Sequence, residues 1–236
     1  MSHAPAVGYG AEGPGTGLPY QLKFETIHGS GEALQLRSLL DRQQFHDPLG
    51  EAEREGISSS AWPIFGLLWP SSRVLAHAML TYEVQGKRIL ELGCGLALAS
   101  LVIHRRGGNI TASDCHPLAA EFLSENLKLN HLPAMKYQRG NWSRDNPLLA
   151  RFDLIIGSDV LYDRDQPQTL SQFIDLHAQP HAEVLIVDPD RGNRVSFSRK
   201  MEALGYSRTE TRVSALPGSG EKYKGRVLRY LKAPVP

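Results

Sequence analysis

The chain has 236 residues, 41% of them apolar and 22% charged, enough to bury one substantial core and slightly long for a single compact domain. Its formal net charge of +1 leaves no excess of cations for phosphate neutralisation, so nucleic acid is not an expected partner. Two cysteines, Cys94 and Cys115, lack both zinc spacing and disulfide density, no window approaches the ~20 apolar residues of a bilayer span, and no charged-then-apolar leader opens the chain. A soluble, cytoplasmic protein in a reducing setting, monomeric by default and away from the membrane, is the expectation.

Residues 1–18, rich in Gly, Ala and Pro, predict a flexible lead. Residues 19–57 read as a cap or extension, in which the alternation of Gln21-Leu22-Lys23-Phe24-Glu25-Thr26-Ile27 suits a short strand or hairpin. His46 and Asp47 form a polar cluster there, and a lone histidine of this kind is more often structural than catalytic. The main domain, 58–236, starts with the capping residues Ser58, Ser59 and Ser60, is punctuated by Pro63 and Pro70, and carries Val74, Leu75, Ala78, Met79 and Tyr82 at helical spacing.

Strands and helices then alternate: strand 88–92, helix about 96–106, strand 109–113, helix about 117–130, strand 135–139, strand 154–157, helix about 167–178, strand 183–188 and helix about 193–204. This order implies right-handed crossovers and a doubly wound, mostly parallel α/β sheet of Rossmann-like type. Two β-rich runs at 207–213 and 225–231, joined through Pro217-Gly218-Ser219-Gly220, add a C-terminal antiparallel hairpin and bring the strand count to seven. The cations Lys222, Lys224, Arg226, Arg229 and Lys232 fit solvated positions of that last strand better than a binding patch.

Strand 88–92 runs straight into Gly93-Cys94-Gly95-Leu96-Ala97 and an apolar helix. Glycines 93 and 95 permit a sharp turn and close approach to a ligand, and Ala97 keeps helix and strand close. Glu91, just before the glycines, and Asp114, at the end of the next strand, are placed to meet parts of one nucleoside ligand; Asp114 is the candidate for the ribose hydroxyls. An acid beside the loop opposes a pyrophosphate and suits the amino group of a methionine-like moiety with a sulfonium nearby.

Glu91-Leu92-Gly93-Cys94-Gly95, Asp114, and Asp159-Val160-Leu161-Tyr162 together resemble the seven-β-strand methyltransferases, and within them the protein-lysine branch, methyltransferase family 16. The resemblance extends over roughly residues 58–206 and includes Trp69-Pro70-Ser71 before the first main-domain strand and Asn126-Leu127-Lys128-Leu129-Asn130. It implies S-adenosyl-L-methionine as cofactor, bound by Trp69, Glu91, Gly93, Cys94, Gly95, Asp114, Asn141, Trp142 and Ser158, with no metal. Asn141-Trp142 stands where the family often has Asp-Trp, which implies a polar side chain at the adenine with Trp142 beside it; here the amide oxygen takes over from a carboxylate. Packing in the core is the competing role for Trp69 and Trp142, and the expected one for Trp62.

The resemblance also implies that Asp159 and Tyr162 clamp a substrate lysine, Asp159 attracting and orienting the ammonium. A helix N-cap is the other role open to Asp159, while Asp163 reads as surface. Asn-Pro-Pro-Tyr, expected for methylation of planar amines, is absent from this strand end. Asp188-Pro189-Asp190-Arg191 can hold an acceptor or make an ion pair inside a turn. The expected activity is N-methylation of lysine in a protein substrate; a small-molecule N- or O-methyltransferase and a non-catalytic nucleoside-binding scaffold are the competing readings.

Overall fold

The computed structural model describes residues 17–29, 31–144, 146–162 and 166–232. Most of the expected lead, and Asp163, lie outside the described residues. The alternating run of the extension forms strand β1 (Leu22–Ile27), which pairs antiparallel with β2 (Leu34–Leu39) as a separate two-stranded sheet. A short helix α1 (Glu51–Arg54) follows, its first N–H groups from Ala52 and Glu53 taken by the Asp47 carboxylate. Asp47 is thereby accounted for as a structural cap.

A 3-10 turn at Trp62–Gly66 leads into α2 (Pro70–Ala78), which Pro70 opens at its first position. This helix is shorter than its apolar spacing predicts, because the Leu80 N–H bonds back to the His77 carbonyl and tightens the end into a turn. Then come β3 (Arg88–Leu92), α3 (Leu98–Arg105), β4 (Asn109–Asp114), α4 (Ala119–Leu129), β5 (Lys136–Arg139) and β6 (Phe152–Ser158). The chain closes with α5 (Gln166–His177), β7 (Ala178–Asp188), α6 (Arg194–Ala203), β8 (Tyr206–Ala215) and β9 (Lys222–Lys232).

Strands β3 to β9 form one seven-stranded sheet in the order β5-β4-β3-β6-β7-β9-β8. Pairings from β5 to β7 are parallel, and those of β9 with β7 and β8 are antiparallel. The expected doubly wound sheet with its closing hairpin is what forms. Within the apolar strands the two-residue period divides the side chains: Ile89, Leu154, Ile156, Leu185 and Val187 face α2, α3 and α4, whereas Leu90, Ile155, Val184 and Ile186 face α5 and α6. Strand order reverses between β3 and β6, which opens a crevice at their carboxyl ends.

The extension is fixed to this core by Asn126 on α4 and Asn130, one turn on at its C-cap. Asn126 accepts the Arg37 N–H at 2.7 Å and donates to the Arg37 carbonyl at 3.2 Å; Asn130 treats Gln35 the same way, at 2.8 and 2.7 Å. Two amides at helical spacing thus replace a strand partner for β2. Three of the C-terminal cations are likewise paired internally: Arg226 with Asp190 and Glu210, Arg229 with Glu183 and Lys232 with Asp175, whereas Lys222 and Lys224 are exposed.

Candidate functional site

At the β3/β6 crevice lies a cavity of about 620 Å³, within the usual range for small-molecule sites. Its floor is the loop after β3. Gly93, Gly95 and Ala97 all adopt left-handed backbone, at φ 55°, 52° and 58°. The third is an alanine, so a residue with a Cβ holds a conformation that glycine adopts more cheaply, and α3 begins only after it, at Leu98. A Cβ on Gly93 would come within 3.0 Å of Val160 and 3.2 Å of the Trp142 ring, which places both side chains directly over the loop.

Asp114 caps the loop from β4. One carboxylate oxygen accepts the Gly95 N–H at 2.8 Å and the other the His116 N–H at 2.9 Å, with the Cys115 N–H also bonded to the carboxylate, and the group retains accepting capacity for a ligand hydroxyl. The buried carboxyl lines the cavity, as do Cys94, Trp69, Asn141, Trp142, Ser158, Asp159 and the half-exposed Tyr162. Eight of the residues named for cofactor or acceptor therefore surround one space with Gly93 and Gly95 at its base.

Glu91 is the exception and corrects the expectation. It shares the β3 face of Ile89, toward α3, so its side chain points beneath the helix and away from the cavity. It is 1% exposed, accepts the Ser100 N–H at 2.9 Å and also bonds the Ser100 hydroxyl. The contact foreseen with a ligand amino group is replaced by capping of the first turn of α3.

Asn141 is engaged differently from its expected role. Its amide oxygen accepts the Ser143 N–H at 3.0 Å and its amide nitrogen donates to the Glu55 carboxylate at 3.2 Å. Glu55, from the extension, itself lines the cavity and pairs with Arg139 and Arg144. No sequence signal marks Glu55, which meets Asn141 across 86 residues of chain. Trp69 donates its indole N–H to the Ile64 carbonyl at 2.9 Å and carries the Arg42 guanidinium on its ring at 4.7 Å; Trp62 is core, as expected.

Asp159 ends β6 in left-handed backbone, φ 56°, with its N–H bonded to the Val187 carbonyl at 2.8 Å. It is not a helix cap: its carboxylate points into the cavity and binds the Nε of Arg191. Arg191 in turn is held by its N–H on the Asp188 carboxylate at 2.8 Å, so the ion pair expected within the turn after β7 runs instead from Arg191 across to Asp159 at the cavity mouth.

A model of the family described as lysine methyltransferase matches residues 51–203, which include every residue lining the cavity. The chain belongs to the lysine methyltransferase family. It is 30% identical over 162 residues to the electron transfer flavoprotein beta subunit lysine methyltransferase of Mus musculus, covering 67% of this chain and 61% of that protein. It is 28% identical over 150 residues to the calmodulin-lysine N-methyltransferase of Arabidopsis thaliana, covering 58% and 49%. The chain thus spans about half to six-tenths of the length of these relatives. Magnesium protoporphyrin IX methyltransferase from Synechocystis PCC 6803, solved with bound SAM, shares the fold at a TM-score of 0.56 and 13% identity, over 70% of this chain and 80% of that one.

In this lysine methyltransferase family member the charged cavity lining among the described residues is Glu55, Asp114, Asp159 and Arg191, three carboxylates to one guanidinium. Burial pushes Asp114 above the ordinary carboxylate range, partly offset by its backbone donors, and pushes Cys115 up to about 12 and Cys94 well above its usual value. Neither thiol is a thiolate at neutral pH, and the described residues contain no cluster able to hold a metal. His116, stacked on Phe65 at 3.6 Å, is buried as the neutral ring, at about 3 through loss of hydration.

Burial likewise pushes Glu91 up to about 7 against the pull of Ser100. A folded-state value above the unfolded 4.5 means that the folded chain keeps a proton the unfolded chain has lost. This contribution to stability is full below pH 4.5 and is lost as pH rises to about 7. Glu91→Gln keeps both Ser100 bonds on one amide oxygen and removes the loss. Its stability relative to wild type should therefore rise by on the order of 2–3 kcal/mol from pH 4.5 to 8, as read by urea unfolding. A difference independent of pH would mean that Glu91 is ionised in the fold.

Proposed function

We propose that this chain binds S-adenosyl-L-methionine in the cavity and transfers its methyl group to the side-chain nitrogen of lysine in a protein. The observation that carries the reading is the acid-lined cavity at the strand switch point, with Asp114 over the glycine loop and Asp159 opposite. Three carboxylates to one guanidinium suit a cofactor that is cationic at sulfur and amine, and repel a pyrophosphate. Asp114 would hold the ribose hydroxyls, the backbone of Gly93 to Gly95 the amino-acid end, and Glu55 with Asn141 and Trp142 the adenine end. Cys94, Ser158 and Trp69 complete the enclosure.

When bound, S-adenosyl-L-methionine supplies a methyl group on positively charged sulfur, open to in-line displacement by a neutral amine. This chain's residues supply position. Asp159, 11% exposed at its side chain, already holds one cation, Arg191, and would attract and orient the acceptor ammonium. Tyr162 stands three residues on, at the mouth, where it would pack on the aliphatic stem. Val160 and Trp142 stand over Gly93 and would keep that space apolar, which favours the neutral amine: the ammonium would give its proton to water at the cavity mouth before the nitrogen lone pair reaches the methyl group. The names of the relatives, which act on lysines of proteins, support the choice of acceptor. Two free thiols suit the reducing cytoplasm, and we place the reaction there, in a monomer.

The test is transfer of tritium from labelled S-adenosyl-L-methionine into a size-fractionated lysate. A discrete labelled protein whose label maps to lysine is the expected result. Label confined to small molecules would overturn the acceptor and leave the cofactor standing. No label, and no rise in melting temperature with the demethylated product, would favour a scaffold; a ligand at 100 times its Kd should stabilise by about 2.7 kcal/mol.

A further inference from the structure

Beside the cofactor cavity, and sharing Leu67, Trp69, Asp159 and Arg191 with it, runs an open groove of about 920 Å³. Its two rims come from outside the stretch that matches the family: Lys23, Asp41 and Arg42 from the N-terminal extension on one side, and Leu216 with Glu221 to Lys224 around the β8–β9 turn on the other. Tyr223 forms the floor, its hydroxyl 2.8 Å from Ser71 at the start of α2, and is buried. The strand period that turns Tyr223 inward turns Lys222 and Lys224 outward, on one face and exposed.

The charges in this groove are unequally committed. Asp159 is bound by Arg191, and Asp190 by Arg226 at 2.8 Å with Arg194 behind it at 3.8 Å. Lys23 pairs with Glu25. Arg42 lies on the Trp69 ring, which fixes its position without neutralising it, and neither Arg42 nor Lys222 has a salt bridge among the described residues. Lys224 likewise has no salt bridge among the described residues, and the nearby Asp190 is already paired with Arg226. Against these stand two exposed carboxylates, Asp41, which turns onto the Gln43 N–H, and Glu221. The acids near the lysine end are thus neutralised by arginines, and the cations along the rim remain available.

We propose that this groove docks a segment of the acceptor protein in which acidic residues flank the lysine, the acids meeting Arg42 on one rim and Lys222 and Lys224 on the other. The inference rests on the proposed lysine methylation. The site therefore has two polarities: a carboxylate that takes one ammonium, and a cationic rim that rejects lysine-rich sequence around it. Such like-charge exclusion gives specificity as well as attraction.

The test uses the full chain saturated with demethylated cofactor, and three fluorescent peptides with one central lysine flanked by glutamate, glutamine or lysine, read by anisotropy. The glutamate peptide should bind at least about tenfold more tightly than the glutamine peptide at low salt, the lysine peptide more weakly than either, and the differences should shrink at high salt. Lys222→Glu with Lys224→Glu should reverse the order while keeping the melting-temperature rise with demethylated cofactor, which reports an intact fold. Equal affinities, binding by none of the three up to millimolar concentration, or an order unchanged by charge reversal would overturn the proposal. Flat peptide affinities alongside lysine label in a lysate protein would sink the docking groove alone. Glutamate preference with no lysine label would sink the methylation reading.

Discussion

Asp159→Asn should lower transfer of labelled methyl to the acceptor protein by about 10³-fold, within the 10²–10⁴ range for a positioned group of this kind, while leaving the affinity for demethylated cofactor within a few-fold of wild type. Asparagine is the informative replacement. Asp159 sits at φ 56°, a conformation that asparagine tolerates and alanine resists, and its N–H to the Val187 carbonyl does not depend on the side chain. The substitution keeps shape and backbone and removes the charge. It also frees Arg191 from its partner, so a guanidinium then faces an incoming ammonium at the mouth of the cavity. Both changes act against the acceptor. Single-turnover transfer beside a thermal titration with demethylated cofactor separates the effects; transfer at the wild-type rate would remove Asp159 from the mechanism.

The fold was legible because its strands carry their own punctuation. The central parallel strands β3, β4, β6 and β7 carry short apolar runs that end at or beside a small or acidic residue, and helices separate them, so order and sheet type follow from spacing. The loop Gly93-Cys94-Gly95 and the acids at strand ends, Asp114 and Asp159, were legible for the same reason: the carboxyl edge is where ligands sit. Glu91 was misplaced although the rule that places it was at hand. Ile89 packs under α3, and a residue two positions on must share its face.

Contacts between distant segments were not legible. Glu55 reaches the cavity only because α1 is carried there by the hairpin that Asn126 and Asn130 hold. The spacing of those two asparagines on one helix face was visible, but their partner, the backbone of β2, has no side-chain signature. Nor does Arg191 announce its choice: the sequence allows it to reach outward to an acceptor or to pair inside its own turn, and it does neither but binds Asp159. The backbone bond from its N–H to Asp188, which anchors the turn in this arrangement, appears only in three dimensions.

Gly95→Ala is expected to disable cofactor binding more completely than any change of a side chain in the cavity. At φ 52° an added Cβ carries the left-handed penalty of about 1 kcal/mol. It would also stand 2.8 Å from the Phe65 carbonyl oxygen, a backbone atom. Phe65 is poorly able to yield, since its ring is stacked on His116 and meets Trp62 and Phe122 edge-on. The loop must therefore shift, and with it the Gly95 N–H that fixes Asp114 at 2.8 Å. A loss of about 100-fold in affinity would cut the stabilisation by demethylated cofactor from about 2.7 kcal/mol to about 0.4 kcal/mol at the concentration that saturates wild type. Gly86→Ala is the matched control: φ is 73° and no atom lies within 4 Å of its added Cβ, so it should carry the backbone penalty alone and keep the full ligand response. If Gly95→Ala kept that response too, the loop after β3 would not be where the cofactor lies, and Asp114 would be a capping residue only.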